Sequence, residues 1–276
     1  MKGAIFIGVM WVFWLSACAH VDQKSERRNN FTRIWRPIIS FLNQDPGSFN
    51  TSSRDLPTVY REELAAIEEQ WNKEPQCKLD MMKNSLEKHE FFFQQITKLN
   101  EDEIRNLERN NQTQRSVSAL LHQVLSAVES HPVASSKRAE HYDRDLQIGF
   151  CFGRALLVHY YLLKAGVPQK DILKVFALGD FNIAGQFWHF HVAVMVNDKG
   201  KWMVIDPLYG EPASYQDWVA NVKSLEIKHP FSRARFYVSD PRRFMPASGN
   251  YSTESLLAGG LSRYFHDLGA TLVTSN

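Results

Sequence analysis

Cysteine is scarce in this chain, and the motifs in which cysteines act as a group do not occur. Three cysteines stand among 276 residues, with no CxxC motif and no clustering of cysteine with histidine. Structural zinc sites need such clusters. The sequence therefore predicts no metal site, and nothing else in it predicts a cofactor.

An excess of charge of one sign is also lacking. The 32 basic and 30 acidic residues give a formal net charge of +2, and the basic residues form no dense stripe. Nucleic-acid binding depends on such a basic surface, so we expect no nucleic-acid partner. The hydrophobic fraction of 44% is typical of a globular protein. No internal repeat is present, and we expect a monomer.

The N-terminus predicts export. Residues 3–15 (GAIFIGVMWVFWL) follow Met1-Lys2 and form an apolar run that suits a signal peptide but is short for a membrane span. The run ends in Leu15-Ser16-Ala17-Cys18, which resembles the bacterial lipobox. That resemblance implies cleavage before Cys18 and a lipid on its sulfur, which would attach the protein to a membrane of the cell envelope.

Two other interpretations of these residues stay open. Ala17-Cys18-Ala19 also fits an ordinary signal-peptidase site, which would release a secreted soluble protein, and the segment could remain as an uncleaved anchor. All three place the chain outside the cytoplasm. There, Cys77 and Cys151 could form a disulfide. Such a bond would disable a nucleophile at Cys151, so the two roles exclude each other in an active enzyme.

The composition changes along the chain and predicts four parts. Residues 1–18 are a signal peptide of the lipoprotein type, and residues 19–57 are a polar tether with one short helix around 34–42. Residues 58–131 show helical spacing of apolar residues, which predicts a helical prosegment or subdomain. Residues 132–276 are the predicted catalytic domain.

The catalytic domain is predicted to have an α+β fold. A helix begins at Cys151 and ends near Gly166 and Pro168, which are ordinary helix-stop residues. Three stretches with strand periodicity follow, starting near residues 172, 187 and 201. The sequence therefore predicts a cysteine-bearing helix packed on an antiparallel sheet.

The second and third predicted strands form a hairpin that brings a histidine to an aspartate. Residues 197–200 (NDKG) are a turn signal. A two-residue loop at Asp198-Lys199 or a four-residue loop over 197–200 would set His191 directly opposite Asp206, with Cβ atoms about 5 Å apart. A three-residue loop would place the two on opposite faces unless a bulge restored the pairing. His189 shares the face of His191 but does not meet Asp206 in this register.

These residues match the parts of a cysteine nucleophile. The start of a helix carries partial positive charge and free N–H groups, which favour a thiolate at Cys151. His191 would activate the thiol, and Asp206 would orient His191. The N–H of Cys151 and a second donor, either Gln147 or Trp188, would stabilise an oxyanion. Each residue also has a plain alternative: an inert core cysteine, a packing histidine and a turn-forming aspartate. The order and the register favour the triad.

The motifs resemble those of the bacterial protein-glutaminase domain, a member of the transglutaminase-like and papain-like cysteine enzymes. The resemblance covers roughly residues 145–220. The matching residues are Cys151, Arg154-Ala155, His191-Val192-Ala193, Val204-Ile205-Asp206-Pro207, Pro212 and Trp218.

The resemblance implies a transglutaminase-like core and a hydrolase that converts glutamine side chains of proteins or peptides to glutamate through a Cys151 thioester. Family members can carry an N-terminal prosegment, a role that residues 22–110 could fill. Leu156 stands where the family often has a histidine, and the cysteines for the family's disulfides are missing. A transglutaminase, a cysteine peptidase, or a non-catalytic envelope lipoprotein that acts as a binding module remain alternatives.

Overall fold

The computed structural model describes the second half of the chain almost completely and the first half in part. The described residues are 27–44, 102, 105–106, 115–139, 141–143, 148–183, 185–227, 234–246, 248–258 and 260–274. The predicted signal peptide, Cys18, Cys77, Gln147 and most of the predicted helical segment 58–131 lie outside these ranges.

The described residues form an α+β fold, as the sequence predicts. The strands are β1 (Ile172–Ile183), β2 (Gln186–Asp198), β3 (Lys201–Ile205), β4 (Ala213–Ser214) and β5 (Arg235–Ser239). The helices are α1 (residues 27–42), α2 (Ser118–Glu129), α3 (Ser136–Ala139), α4 (Cys151–Lys164), α5 (Tyr215–Ser224), α6 (Thr253–Leu257) and α7 (Ser262–Thr274). A short 3-10 turn, Gln169–Asp171, leads from α4 into β1.

The strands make one five-stranded antiparallel sheet in the order β4-β3-β2-β1-β5. Helix α4 packs on β2 and α2, and α5 packs on β3 and β4. The predicted end of α4 is confirmed, because Gly166 adopts a left-handed φ of +77° one residue after the helix C-cap. The cysteine-bearing helix and the predicted histidine strand are therefore packed neighbours.

The β2–β3 register differs from the predicted one by two residues. Asp198 pairs with Lys201 and Val194 pairs with Ile205, so the loop is Lys199-Gly200 and not Asp198-Lys199. Both loop residues have positive φ, +52° and +87°. A two-residue hairpin of this kind favours glycine at its second position, and the sequence supplies it at 200. The prediction that His191 lies directly opposite Asp206 is therefore wrong, although an even-numbered loop keeps both on one face.

Helix α1 is longer than the predicted short helix around 34–42 and is part of the core. Phe31, Trp35, Ile38 and Leu42 recur every three or four residues and are buried. The indole N–H of Trp35 donates to the carbonyl of Phe265 on α7 at 2.9 Å. Residues 27–42 of the predicted polar tether thus pack on the C-terminal helix, because their apolar residues share one face.

The packing of α1 against α7 depends on a close approach at Gly269. A Cβ atom placed on this glycine would lie 2.7 Å from the indole nitrogen of Trp35. Beneath this contact, aromatic rings of α4, α7 and the segment after β5 meet in pairs, among them Phe152 with Phe244 and Phe244 with Phe265. The core is therefore shared by both ends of the described chain. Among the described residues, no helix is both long enough and apolar enough to cross a membrane.

Candidate active site

A tight turn delivers Cys151 to the first position of α4. Gly149 and Phe150 both have positive φ, +65° and +50°. The Asp143 carboxylate accepts hydrogen bonds from the N–H groups of Ile148 and Gly149, each at 2.7 Å. A Cβ atom on Gly149 would lie 2.3 Å from the Trp188 ring, so glycine is required there for close approach as well as for backbone conformation.

Cys151 carries a free thiol and is only 3% exposed. The carbonyl of Phe150 accepts from the N–H groups of Gly153 and Arg154, which closes the first turn of α4. The N–H of Cys151 belongs to the first turn of the helix, where N–H groups have no acceptor within the helix. The thiol therefore sits at the positive end of a 14-residue helix.

His191 and Asp206 form a buried pair despite the shifted register. His191 Nε2 donates to Asp206 Oδ2 at 2.6 Å, and both side chains are nearly inaccessible to solvent. The β2–β3 ladder ends at Val194 and Ile205, so Asp206 lies one residue beyond it. Diagonal neighbours on one face of a hairpin remain within reach of long side chains, and the histidine reaches the aspartate in this way.

Three hydrogen bonds hold the Asp206 carboxylate. Oδ2 accepts from Trp218 Nε1 at 2.7 Å as well as from His191, and Oδ1 accepts from the N–H of Leu208 at 3.0 Å. Burial by itself raises the pKa of Asp206, but the charge and hydrogen bond of His191, with the bonds from Trp218 and Leu208, lower the pKa below its usual value. Asp206 is therefore a carboxylate at neutral pH.

His191 is set up to hold a proton between Asp206 and Cys151. Burial lowers its pKa, but the charge and hydrogen bond of Asp206 and the interaction with Cys151 outweigh burial and raise the pKa to about 9. The other ring nitrogen, Nδ1, is buried and has no nitrogen or oxygen partner among the described residues. At neutral pH the ring is an imidazolium whose second N–H is free to serve the thiol.

Two indoles enclose the His191 ring. The Trp218 ring stacks on it with centroids 6.1 Å apart and planes 24° apart, and the Trp188 ring centroid lies 5.8 Å away. Trp218 also packs edge-on against Phe236 of β5. Rings packed in this way limit the rotation of the imidazole and exclude water from its bond to Asp206.

His189 stands apart from this arrangement. Its side chain is 72% exposed, and its Nδ1 lies 2.9 Å from Asp180 Oδ1. The β1 strand bulges at this point, between Leu178 and Phe181, so that Asp180 comes within reach of His189. The chain thus contains two His–Asp pairs on β2, and only the pair formed by His191 is buried near the thiol.

The structure describes one of the two predicted oxyanion donors, Trp188, and not the other, Gln147. Gln147 lies outside the described residues, as does the predicted lipid attachment site Cys18. Trp188 lies at the site, but its indole N–H donates to Gln186 Oε1 at 3.3 Å. An oxyanion role for Trp188 would require this bond to be exchanged, so its observed contribution is packing on Gly149 and His191.

Sequence reasoning missed two supporting residues. The sequence analysis gives Trp218 no role in the triad, yet Trp218 donates to Asp206. Its place among the motifs that carry the family resemblance is the signal that points to such a role. Asp143 was not singled out, and it holds the turn that presents Cys151. Nothing in the sequence pattern distinguishes Asp143, because its function depends on how the loop before α4 folds back.

The site is of the thiol–imidazole–carboxylate kind. No group of three or more histidine, cysteine, aspartate or glutamate side chains within the described ranges could hold a metal ion. Comparisons with protein families, with curated proteins and with solved structures found no match to this chain. What the site can do is therefore argued from its residues and their geometry.

Proposed function

We propose that this protein is a cysteine amidohydrolase that deamidates glutamine side chains in proteins or peptides and releases ammonia. The proposal rests on one observation above all. The buried His191 ring is oriented by a hydrogen bond from Nε2 to the Asp206 carboxylate at 2.6 Å. Its Nδ1 has no nitrogen or oxygen partner among the described residues and remains free for the interaction with the Cys151 thiol at the N-terminus of α4. The combination of these three groups supports a mechanism through a Cys151 thioester.

The first half-reaction forms the thioester. The Cys151 thiolate attacks the carboxamide carbon, and the electron pair of the C=O bond moves to oxygen. When this pair returns, the C–N bond breaks and the nitrogen leaves as ammonia after taking a proton from His191. An imidazolium with a pKa of about 9 holds that proton at neutral pH, which suits its role as the general acid.

The second half-reaction releases the product. His191, now neutral, takes a proton from water while the water oxygen attacks the thioester carbon. The C–S bond breaks, the product leaves as the carboxylic acid and loses its proton to solvent to become glutamate, and the thiolate and imidazolium are restored. Throughout, Asp206 keeps the ring oriented, and the N–H of Cys151 at the start of α4 supports the negative oxygen.

The finer fold assignment and the location belong to the same proposal. A cysteine-bearing helix packed on an antiparallel sheet that carries the histidine supports a transglutaminase-like or papain-like core. The motif resemblance at Cys151, His191 and Asp206 supports the protein-glutaminase type within it. We propose, from the lipobox-like residues ending at Cys18, that the enzyme is exported and held on the cell envelope.

The decisive experiment incubates the full chain with a glutamine-rich protein and follows both ammonia and the mass of the product. Deamidation predicts ammonia and a gain of about 1 Da for each glutamine, with no crosslinks and no fragments. Crosslinked product would replace the proposal with a transglutaminase, and fragments would replace it with a peptidase. Absence of all three products would favour a binding module.

Variants show whether the ammonia is released by this protein or by a contaminating enzyme. Cys151→Ala and His191→Ala should abolish ammonia release, whereas His189→Ala is a matched control on the same strand and should retain it, because His189 is exposed and bound to Asp180. Activity retained by Cys151→Ala would refute the proposal.

A further inference from the structure

Arg154 is an unpaired buried cation in the first turn of the helix that carries Cys151. Arg154 is only 4% exposed, and no side-chain hydrogen bond or ion pair joins its guanidinium to any residue that the structure describes. A buried charge without a partner is costly, and such groups in native structures call for an explanation. A negatively charged ligand would supply the guanidinium with a partner.

The position of Arg154 on α4 brings it near the Cys151 thiol. Residues three apart on a helix are neighbours on its surface, so Arg154 and Cys151 lie on adjoining faces of α4. Long helical side chains also point back toward the N-terminus. The guanidinium is therefore expected beside the first turn, where the thiol and the open N–H groups of the helix lie.

Tyr264 of α7 adds a buried, unsatisfied hydroxyl to this turn. Its hydroxyl is buried and has no hydrogen-bond partner among the described residues. A Cβ atom on Gly153 would lie 2.5 Å from that hydroxyl oxygen, so the glycine admits the tyrosine against the helix. The Tyr264 ring stacks on Phe150 with centroids 4.0 Å apart, which fixes the hydroxyl at the start of α4.

The electrostatics join the three groups. Burial raises the pKa of Tyr264 above its usual range, Arg154 acts in the opposite direction, and Cys151 is near enough to contribute. Tyr264 is therefore a protonated donor at neutral pH. Two carboxylates that the structure describes near this turn have other partners: Asp143 accepts from the N–H groups of Ile148 and Gly149, and Asp267 accepts from Tyr142.

We propose that Arg154 and the Tyr264 hydroxyl bind a carboxylate of the substrate next to the reacting carboxamide. A guanidinium, a hydroxyl and open helix N–H groups together form a donor set for a carboxylate. The inference deepens and rests on the proposed function, because the ligand is part of the glutamine substrate. The carboxylate comes either from an acidic side chain beside the glutamine or from the α-carboxylate of a C-terminal glutamine.

Alkylation of Cys151 tests the site without requiring amidohydrolase activity. Iodoacetate carries a carboxylate and iodoacetamide does not, and in both the thiolate displaces iodide to form a C–S bond. We expect the ratio of the iodoacetate rate to the iodoacetamide rate at Cys151, read by peptide mass in the full chain, to fall about tenfold in Arg154→Met. Arg154→Lys should retain part of the ratio.

The outcomes separate this site from the proposed function. An equal ratio in the wild type and in Arg154→Met would overturn the carboxylate site alone. Failure of both reagents to label Cys151 would overturn the reactive thiol, and the site with it. Stability serves as the check on folding, because Arg154→Met removes an unpaired charge and should leave the midpoint of thermal unfolding unchanged or raised. A clear loss of stability would instead indicate a structural role for Arg154 and contradict the proposal.

Peptide substrates identify the source of the carboxylate. Three blocked tripeptides are compared: one with alanine after glutamine, one with glutamate after glutamine, and one ending in a glutamine with a free carboxylate. In the wild type we expect one of the two acidic peptides to show a KM about tenfold lower than the neutral peptide. In Arg154→Met and in Tyr264→Phe we expect the KM values of the acidic and neutral peptides to become equal. Equal KM values for all three peptides would overturn the proposal.

Discussion

At the scale of single residues, the direction of the His191 pKa depends on one carboxylate. Burial alone would lower this pKa, and the Asp206 carboxylate, with a smaller contribution from Cys151, raises it to about 9. The protonation state that the proposed general acid needs at neutral pH thus depends mainly on a residue one position beyond the end of the β3 strand.

Asp206→Asn should therefore move the His191 pKa below the ordinary 6.5. The amide keeps the shape of the side chain but removes the charge, and burial then becomes the dominant influence. An NMR titration of the histidine ring nitrogens measures the change. Asp180→Asn is the matched control, because it alters the exposed His189 pair only and should leave His191 near 9. A His191 pKa that remains near 9 in Asp206→Asn would show that the interaction with Cys151, and not Asp206, keeps the ring protonated.

The pH dependence of stability has a definite sign. The folded-state pKa of His191 is raised, so its stabilisation is complete below 6.5 and is lost as pH rises through about 9. The pKa of Asp206 is lowered, so its stabilisation is present above 3.8 and is lost as pH falls through the folded value. The difference in free energy of unfolding between wild type and Asp206→Asn should therefore be largest near pH 5–6 and shrink toward pH 10, as measured by denaturant titration.

Trp218→Phe tests the indole as a positioning residue. Phenylalanine keeps a ring against His191 but removes the N–H that donates to Asp206 at 2.7 Å. A hydrogen bond to a charged group contributes about 1.5–3 kcal/mol, so we expect kcat to fall about tenfold or more with KM little changed. If only stability fell and kcat stayed at the wild-type value, Trp218 would be a packing residue, as its sequence pattern alone suggests.

The sequence was sufficient to predict that Cys151, His191 and Asp206 belong to one candidate site. It was not sufficient to predict their exact positions in the fold. Parity along strands put His191 and Asp206 on one face, and that much survives the two-residue shift in register. The exact pairing could not be predicted, because NDKG offers several loops and the backbone preference of Gly200 decides among them. Asp143 escaped prediction because it acts through backbone N–H groups that only the folded loop brings near it.

At the scale of elements, the β2–β3 hairpin does more than join two strands. The Asp198 carboxylate at its tip accepts from the N–H of Val117 at 2.7 Å and from the hydroxyl of Ser118 at 2.6 Å. Helix α2 starts at Ser118 and has no side-chain cap from its own N-cap residue. The hairpin supplies that cap from 80 residues away in sequence.

Asp198→Ala should lower the free energy of unfolding by about 1–2 kcal/mol, because the start of α2 loses its acceptor. Asp198→Asn retains an acceptor oxygen and should recover most of the loss. Denaturant unfolding at constant pH measures both variants. Lys201→Ala, at the exposed position that pairs with Asp198, controls for disturbance of the hairpin itself. If the asparagine and alanine variants lost equal stability, the charge rather than the cap would be responsible.

At the scale of the whole molecule, the hydrophobic core extends across the domain boundary predicted near residue 132. Helix α1 contributes buried residues to the same cluster as α4 and α7, so a fragment of residues 132–276 would expose the surface that Trp35 covers. Apolar spacing was visible in residues 27–42, but its partner on α7 lies 230 residues away in sequence. The composition of residues 27–42 therefore predicts a polar segment, although the apolar residues lie on one face of the helix.

Trp35→Ala should lower the free energy of unfolding by about 3–5 kcal/mol, the usual cost of removing a large buried aromatic side chain. Arg33→Ala is the matched control on the same helix, because Arg33 is exposed and bonds only to Asn30 among the described residues; its effect should stay within about 0.5 kcal/mol. Thermal or denaturant unfolding of the full chain provides the measurement. Equal stability of the two variants would mean that α1 is dispensable to the fold.

The docking of α1 would also limit the distance between the proposed active site and the proposed lipid attachment at Cys18. If the lipid is on Cys18 as proposed, the chain from Cys18 to residue 27 has a maximum extension of about 30 Å. The catalytic body would then be confined to a thin layer at the membrane surface, where only substrates that enter this layer meet Cys151. The length of the segment between Cys18 and α1 would then limit which substrates are deamidated. A longer segment would let the active site reach glutamines farther from the membrane.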